Sequence, residues 1–305
     1  MKIIIINKKI EFSEEQVKRL ESLGDVVFIE SSEELKNTKE FYSPDEKLIA
    51  LDPGISEWSF PNDIIDKITS LKAVCLPTTK YEWVDGKHLK EKGIILTNVP
   101  KYSTESVAEH CILLMLGLSK RLPMVINAGW ILDYDKHLGN EVKESNMGVI
   151  GLGDIGQRVA ELGQGMGMNV SYWSRKTKDS RYEYKELDEL IKTSDYIFLT
   201  ISEGPETKNF FSKEKVDLVK KSSCVINISG DDVWDFDYLT KKTSEGGIAG
   251  MALDDDKRQM QGYKDNILIT PHIAWYTKEA FKEDFRIWVE CIRSIIENNP
   301  INVVN

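Results

Sequence analysis

Met147-Gly-Val-Ile150-Gly151-Leu-Gly153-Asp-Ile-Gly156-Gln-Arg-Val-Ala160 is a short apolar run that leads straight into a GxGxxG and then a helical pattern. Three glycines at this spacing are weak evidence alone, because glycine is common. Between a strand and a helix each has its own physical role. They allow a tight turn, close backbone approach to a pyrophosphate, and close helix–strand packing. The free N–H groups and the positive dipole end of the helix suit the phosphates. A plain strand–helix turn is the competing reading, and the number of context requirements met disfavours it. The stretch therefore points to a dinucleotide held by Gly151, Gly153 and Gly156, with Asp154 and Ile155 opening the helix.

The next strand, Asn169 to Trp173, should end at the residue that reads the adenosine ribose. In NAD-selective sites that residue is acidic. Here it is Ser174, followed by Arg175 and Lys176. An acid repels a 2′-phosphate, whereas serine and arginine hydrogen-bond and neutralise it. The expectation is NADP(H) in preference to NAD(H), which remains possible. A solvated basic turn is the bland alternative.

Working outward, the chain alternates strands and helices. Lys2 to Ile6, Val26 to Ile29, Leu48 to Leu51, Ala73 to Leu76 and Ile94 to Thr97 read as strands before the motif. Ser13 to Leu23 reads as a helix capped by Ser13, with Gln16 three residues on, and Ile64 to Ile68 as another. A long helix is expected from about Thr104 to Arg121. Beyond the motif, helices are expected at Leu187 to Thr193, Lys213 to Lys220 and Thr277 to Glu297. Strands are expected at Tyr196 to Thr200, Cys224 to Ile228, Gly247 to Leu253 and Ile267 to Ile269. Such alternation predicts an α/β fold with doubly wound parallel sheets.

The 305 residues are 41% hydrophobic and 30% charged, enough apolar material for packed cores and too much for one domain. A formal net charge of −10 disfavours nucleic acid and anionic membrane as partners. Cys75, Cys111, Cys224 and Cys291 lie far apart with no CxxC pair, which argues against a zinc site or a disulfide framework and for buried thiols. No metal is expected. The longest apolar stretch, Val107 to Leu118, is interrupted by Glu109 and His110 and reads as a buried helix. A cytoplasmic protein acting on a small molecule is the default.

Several further segments carry a family resemblance. Glu91-Lys-Gly-Ile-Ile-Leu-Thr-Asn-Val-Pro100, Ser103-Thr-Glu-Ser-Val-Ala-Glu109, Gly129-Trp130, Pro205-Glu-Thr207, Ile226-Asn-Ile-Ser229, Ala252-Leu-Asp254 and Thr270-Pro-His-Ile-Ala-Trp275 join the glycine motif. Together they resemble the D-2-hydroxyacid dehydrogenases, which include glyoxylate/hydroxypyruvate reductases and phosphoglycerate dehydrogenase, over nearly the whole chain. The resemblance implies two Rossmann-like domains. A flavodoxin-like substrate domain would comprise residues 1–99 and 276–305, and a dinucleotide-binding domain residues 100–275, with dimerisation through the latter. It implies cofactor contacts at Ile201, Ser202, Thr207, Ile228, Ser229, Gly230 and Asp254. It also implies hydride transfer between nicotinamide C4 and C2 of a 2-oxo acid, with a histidine as acid, an arginine on the substrate and a glutamate behind the histidine.

The family histidine falls on His272. The family arginine falls on Gly230, beside Asp231 and Asp232, and the glutamate on Gln259, with Asp255 and Asp256 upstream. The family usually has glycine near Lys80, and Lys101 stands where glycine is usual, so either is a candidate for the missing cation, with Arg258 a third. Three readings follow: a reductase of small 2-oxo acids using His272 and a relocated cation; a dehydrogenase for a non-anionic substrate; and a non-catalytic dinucleotide-binding sensor or scaffold.

Overall fold

The four consecutive isoleucines lie in β1 (Lys2–Ile6), and all four are fully buried. A computed structural model describes residues 1–260 and 262–305 and separates two units, Met1–Ser103 with Lys278–Asn305, and Thr104–Thr277. In the first unit β1 is joined by β2 (Asp25–Ile29), β3 (Lys47–Leu51), β4 (Leu71–Cys75) and β5 (Ile95–Thr97), in the order β2-β1-β3-β4-β5, all parallel. Ile4 and Ile6 pack into one core with Ile49, Leu51 and Val74. Ile3 and Ile5 pack on the opposite face with Leu48, Phe285 and Trp288. A strand covered on both faces has no polar side, which is why its isoleucines run unbroken. Each fully buried isoleucine contributes about 1.5–3 kcal/mol of transfer free energy.

The helix Glu14–Leu23 opens as the sequence suggests. Gln16 N–H donates to Ser13 Oγ at 3.2 Å, and Ser13 N–H to Gln16 Oε1 at 2.8 Å. The helix Lys278–Ile296 returns to this unit, where Trp288 Nε1–H donates to the Cys75 carbonyl at 2.9 Å.

The second unit holds β6 (Asn146–Ile150), β7 (Asn169–Trp173), β8 (Glu183–Tyr184), β9 (Tyr196–Leu199), β10 (Cys224–Asn227), β11 (Gly250–Asp254) and β12 (Ile267–Thr270). Their order is β12-β11-β10-β9-β6-β7-β8, again all parallel. The helices Thr104–Ser119 and Asp154–Gly165 cover one face over Met147, Val149, Phe198 and Ile226. Leu187–Thr193 and Phe236–Ser244 cover the other over Ile150, Ile197, Leu199 and Val225. Both sheets are therefore doubly wound. The strand order reverses at β6, and the carboxyl edge of a sheet at such a switch point is where ligands bind in open α/β folds.

Some boundaries differ from those the sequence pattern suggests. The long helix stops at Ser119 and a second runs over Leu122–Asn127, because Pro123 suits a helix start and Arg121 takes a left-handed φ of 56° to re-aim the chain. The strand expected from Gly247 begins at Gly250, after a turn in which Gly246 has φ 68°. The helix from Lys213 ends at Val216. The helix Phe236–Ser244, capped by Asp235 accepting from Tyr238 N–H, is one the sequence pattern does not announce. All four cysteines are buried and free. Among the described residues no helix is long and apolar enough to cross a membrane, and no cluster of His, Cys, Asp or Glu could hold a metal ion.

Candidate functional site

The three glycines behind β6 are held for three different reasons. Gly151 has φ 100°, and a Cβ there would lie 2.7 Å from Ile201 Cγ2. A Cβ on Gly156 would lie 2.0 Å from the Gly151 carbonyl oxygen, so the helix could not approach the turn. Thr200 fastens the same turn by donating its hydroxyl to that carbonyl at 2.7 Å. Gly153 differs: its φ of −76° is ordinary, and a Cβ there would meet nothing within 4 Å. Among the described residues nothing demands glycine at 153, and the open space there leaves the backbone free for close approach by a ligand.

The surroundings suit a dinucleotide. The helix Asp154–Gly165 begins at Gly153 with no side-chain cap, which leaves its first N–H groups for an anion. Ile155 packs partly into the core and anchors the first turn. Across the same edge, Ile228 N–H donates to the Leu199 carbonyl at 3.2 Å, carrying the β9–β10 pairing one residue further. Ser229 N–H donates to Asn227 Oδ1 at 2.9 Å, while its hydroxyl oxygen is buried without a hydrogen-bond partner. Such an orphaned polar atom fits a site completed by a bound group. The buried Thr207 hydroxyl donates to the Ser202 carbonyl at 2.8 Å, closing the turn that carries Ile201 and Ser202.

Ser174 directly follows β7, and its hydroxyl accepts from Thr177 N–H at 3.2 Å. Arg175 pairs with Glu206 at 2.9 Å, both side chains well exposed, so the pair is easily exchanged for a ligand phosphate. Lys176 is exposed beside them.

His272 is exposed at the end of β12 and has the left-handed φ of 52°. Asp254, the last residue of β11, enforces that conformation. Its Oδ1 accepts from Ile273 N–H at 2.9 Å and from Thr270 Oγ1–H at 2.7 Å, and its Oδ2 accepts from Ala274 N–H at 2.9 Å. His110, which no motif singles out, belongs to this group. Its Nε2 lies 2.8 Å from Thr270 Oγ1 and 3.6 Å from Asp254 Oδ1. Burial pushes its pKa down, with the Asp254 charge opposing. The only sequence signal was a histidine inside an otherwise apolar helix. Gln259 is exposed, and among the described residues no hydrogen bond joins it to His272.

At the position of the family arginine, Gly230 has φ 120° and its carbonyl accepts from Asn227 Nδ2–H at 2.8 Å. The space a side chain would leave through holds the Glu203 carboxylate, 2.8 Å from the Cβ position. Asp231 binds Arg258 through both oxygens, at 2.8 and 3.1 Å, and Asp255 holds the same guanidinium, which lies over the Phe236 ring. Arg258 is thus spoken for by two acids. Lys80 and Lys101 belong to the first unit, and Lys101 has φ 64°.

The chain is similar to proteins of one family. The family described as D-isomer specific 2-hydroxyacid dehydrogenase, NAD binding domain, matches residues 112–274. A hydroxypyruvate reductase of Blautia hydrogenotrophica is 31% identical over 80% of this chain and 82% of its own. A solved acyclic imino acid reductase in complex with NADPH and D-arginine superposes over both whole chains with TM-score 0.82 and 27% identity. A D-lactate dehydrogenase of Aquifex aeolicus in complex with NAD and lactic acid covers 98% of this chain and 96% of its own with TM-score 0.75 and 26% identity.

Proposed function

Since the chain belongs to the family of D-isomer specific 2-hydroxyacid dehydrogenases, we propose that it reduces a small 2-oxo acid with a nicotinamide dinucleotide, NADP(H) in preference to NAD(H), and with His272 as general acid. The observation that carries this reading is the Asp254 bracket, which holds His272 in a left-handed conformation at the carboxyl edge of the sheet that also carries Gly153. A strained backbone held by dedicated hydrogen bonds is a signature of functional sites.

In this reading residues 100–275 form the dinucleotide domain and the remainder the substrate domain. The dinucleotide supplies the hydride. Gly153 and the helix behind it seat the pyrophosphate, Ser174, Arg175 and Lys176 receive the 2′-phosphate, and Ser229 offers its unpaired hydroxyl. His272 gives a proton to the carbonyl oxygen as negative charge develops there. Lys80 and Lys101 remain the proposed partners of the substrate carboxylate. The protein works as a homodimer in the cytoplasm, where its buried thiols stay reduced.

The test is NADPH and NADH oxidation with glyoxylate, hydroxypyruvate, pyruvate and phenylpyruvate, for the wild type and His272→Ala. Turnover that His272→Ala lowers about 10²–10⁴-fold is the expected result. Cofactor binding without turnover on any carbonyl would favour the sensor reading instead. A second reading, an altered substrate, is favoured by the Glu203 carboxylate beside Gly230 and by the likeness to an imino acid reductase.

A further inference from the structure

Ser106 and His110 lie one turn apart on the helix Thr104–Ser119, and both are buried. The core-packing side chains of that helix, Ala108, Cys111, Leu114, Met115 and Leu118, are apolar. A buried polar side chain costs free energy unless it is hydrogen-bonded, so each of the two needs a partner. Both find it in the segment 270–274. Ser106 Oγ–H donates to the Ala274 carbonyl at 2.5 Å, and His110 Nε2 meets Thr270 Oγ1 at 2.8 Å. The helix therefore grips the segment at its first and last residues, with His272 midway between them.

The direction of the bond at Thr270 follows from its neighbours. The hydroxyl has one hydrogen and two acceptors within reach, Asp254 Oδ1 at 2.7 Å and the Leu253 carbonyl at 3.4 Å. The carboxylate, nearer and charged, takes it. Thr270 Oγ1 is then an acceptor, so His110 donates and its proton sits on Nε2. Asp254 passes the constraint on, because the Ile273 and Ala274 amides both donate to it. We infer that His110 is a positioning residue for the general acid His272: its Nε2–H fixes the Thr270 hydroxyl, which fixes the Asp254 carboxylate, whose two amide partners set the aim of His272. The inference rests on the reductase reading. An apolar side chain at 110 would serve packing equally well, and a donor is needed only where the orientation of Thr270 matters. Burial holds the His110 pKa below its ordinary range, so at about pH 8 the ring is neutral and has a single N–H to give.

Two substitutions separate the donor from the volume. His110→Met keeps the bulk and removes the N–H, and His110→Gln puts an N–H back. With NADPH and whichever of glyoxylate, hydroxypyruvate, pyruvate and phenylpyruvate the wild type reduces fastest, His110→Met should lower kcat about tenfold to a hundredfold. The dinucleotide Kd, read by tryptophan quenching, should stay within about twofold, since aim and not binding is lost. His110→Gln should recover most of the kcat, and Ser106→Ala, which frees the other end of the segment, should lower it in the same way. Nitrogen-15 NMR of the four histidines gives a readout without turnover. At about pH 8 the wild-type His110 signals, assigned by their absence from His110→Met, should show a protonated Nε2 and a bare Nδ1. The His272 ring signals should move in His110→Met and return in His110→Gln. A proton on Nδ1 in place of Nε2, a kcat in His110→Met equal to that of the wild type, or a kcat in His110→Gln no better than in His110→Met overturns the role of His110 and leaves the reductase reading intact. No NADPH consumption by the wild type with any of the four acids overturns both.

Discussion

The Ile273 main-chain N–H donates to Asp254 Oδ1 at 2.9 Å, and the Ala274 N–H donates to the other oxygen of the same carboxylate. Two consecutive amides on one carboxylate leave little freedom for His272, the residue immediately before them. Asp254→Asn replaces one acceptor oxygen with an NH2 group that cannot accept, leaving a partly buried N–H unpaired. The expected cost is about 1–3 kcal/mol in a urea melt, with a parallel fall in kcat. An unchanged melt would show that the bracket is not what holds the turn.

The glycine motif should separate folding from binding. Gly156→Ala forces a Cβ to within 2.0 Å of the Gly151 carbonyl and should cost about 3 kcal/mol or more. Gly153→Ala meets open space and should change stability by no more than about 1 kcal/mol. Its dinucleotide Kd should nevertheless rise roughly tenfold or more, because the added methyl stands in the path of the pyrophosphate. Fluorescence titration beside thermal melts of both variants decides the matter.

Cofactor preference should turn on Ser174. Ser174→Asp sets a carboxylate against a 2′-phosphate and should raise the NADPH Kd about tenfold or more while leaving NADH binding equal or tighter. An NADPH affinity unmoved by this change would remove Ser174 from the ribose site.

Two aspartates of the first unit make its stability pH-dependent. Burial, and then the Asp52 charge, push Asp284 up to about 8. Burial pushes Asp52 up to about 6 against the opposing Gly54 N–H. An unfolded aspartate titrates near 3.8, so between about pH 4 and pH 8 the folded state holds protons that the unfolded state has released. Stability is therefore greatest below this window and falls as pH rises through it, by an amount on the order of a few kcal/mol. Melts at about pH 5 and about pH 9 should show the loss, and Asp284→Asn should flatten it.

Trp130, Ile131, Leu132, Tyr134 and Leu138 are each more than half exposed within one short segment of the second unit. An apolar patch of that kind marks an interface. Light scattering should find a dimer, and the double change Ile131→Asp with Leu138→Asp should give a monomer. A monomeric wild type would remove the segment from consideration.

What could be read in the sequence was whatever depends on neighbours along the chain. The Ser13–Gln16 capping box rests on contacts within a few residues, and β1 and the glycine turn each carry a pattern compact enough to read without their distant partners. The end of the long helix near Arg121 was legible, but the short helix Leu122–Asn127 that follows was not, although Pro123 suits a helix start. The helix Phe236–Ser244 is shorter and less regular, and its Asp235 cap stands among other acids that obscure it. The links that build the site were out of reach. His110 meets Thr270 across 160 residues of chain, and Arg258 meets Asp231 across 27, and no local pattern announces either pairing. The sequence located the missing arginine at Gly230, but that Glu203 stands beside it follows only from the pairing of β9 with β10.

The bond from Trp288 to the Cys75 carbonyl has a consequence for the timing of synthesis. The larger part of what covers Ile3 and Ile5, Phe285 to Ile295, is encoded more than 270 residues after them. While the ribosome is still translating, the inserted second unit has its own sheet and helices in hand, but one face of the first sheet is covered only by Phe12 and the helix Glu14–Leu23. A chain that stalls before Lys278 would carry that face half covered, a ready target for holdase chaperones and for aggregation. Release of a full-length chain, and not emergence of the first hundred residues, is the event that completes the amino-terminal sheet.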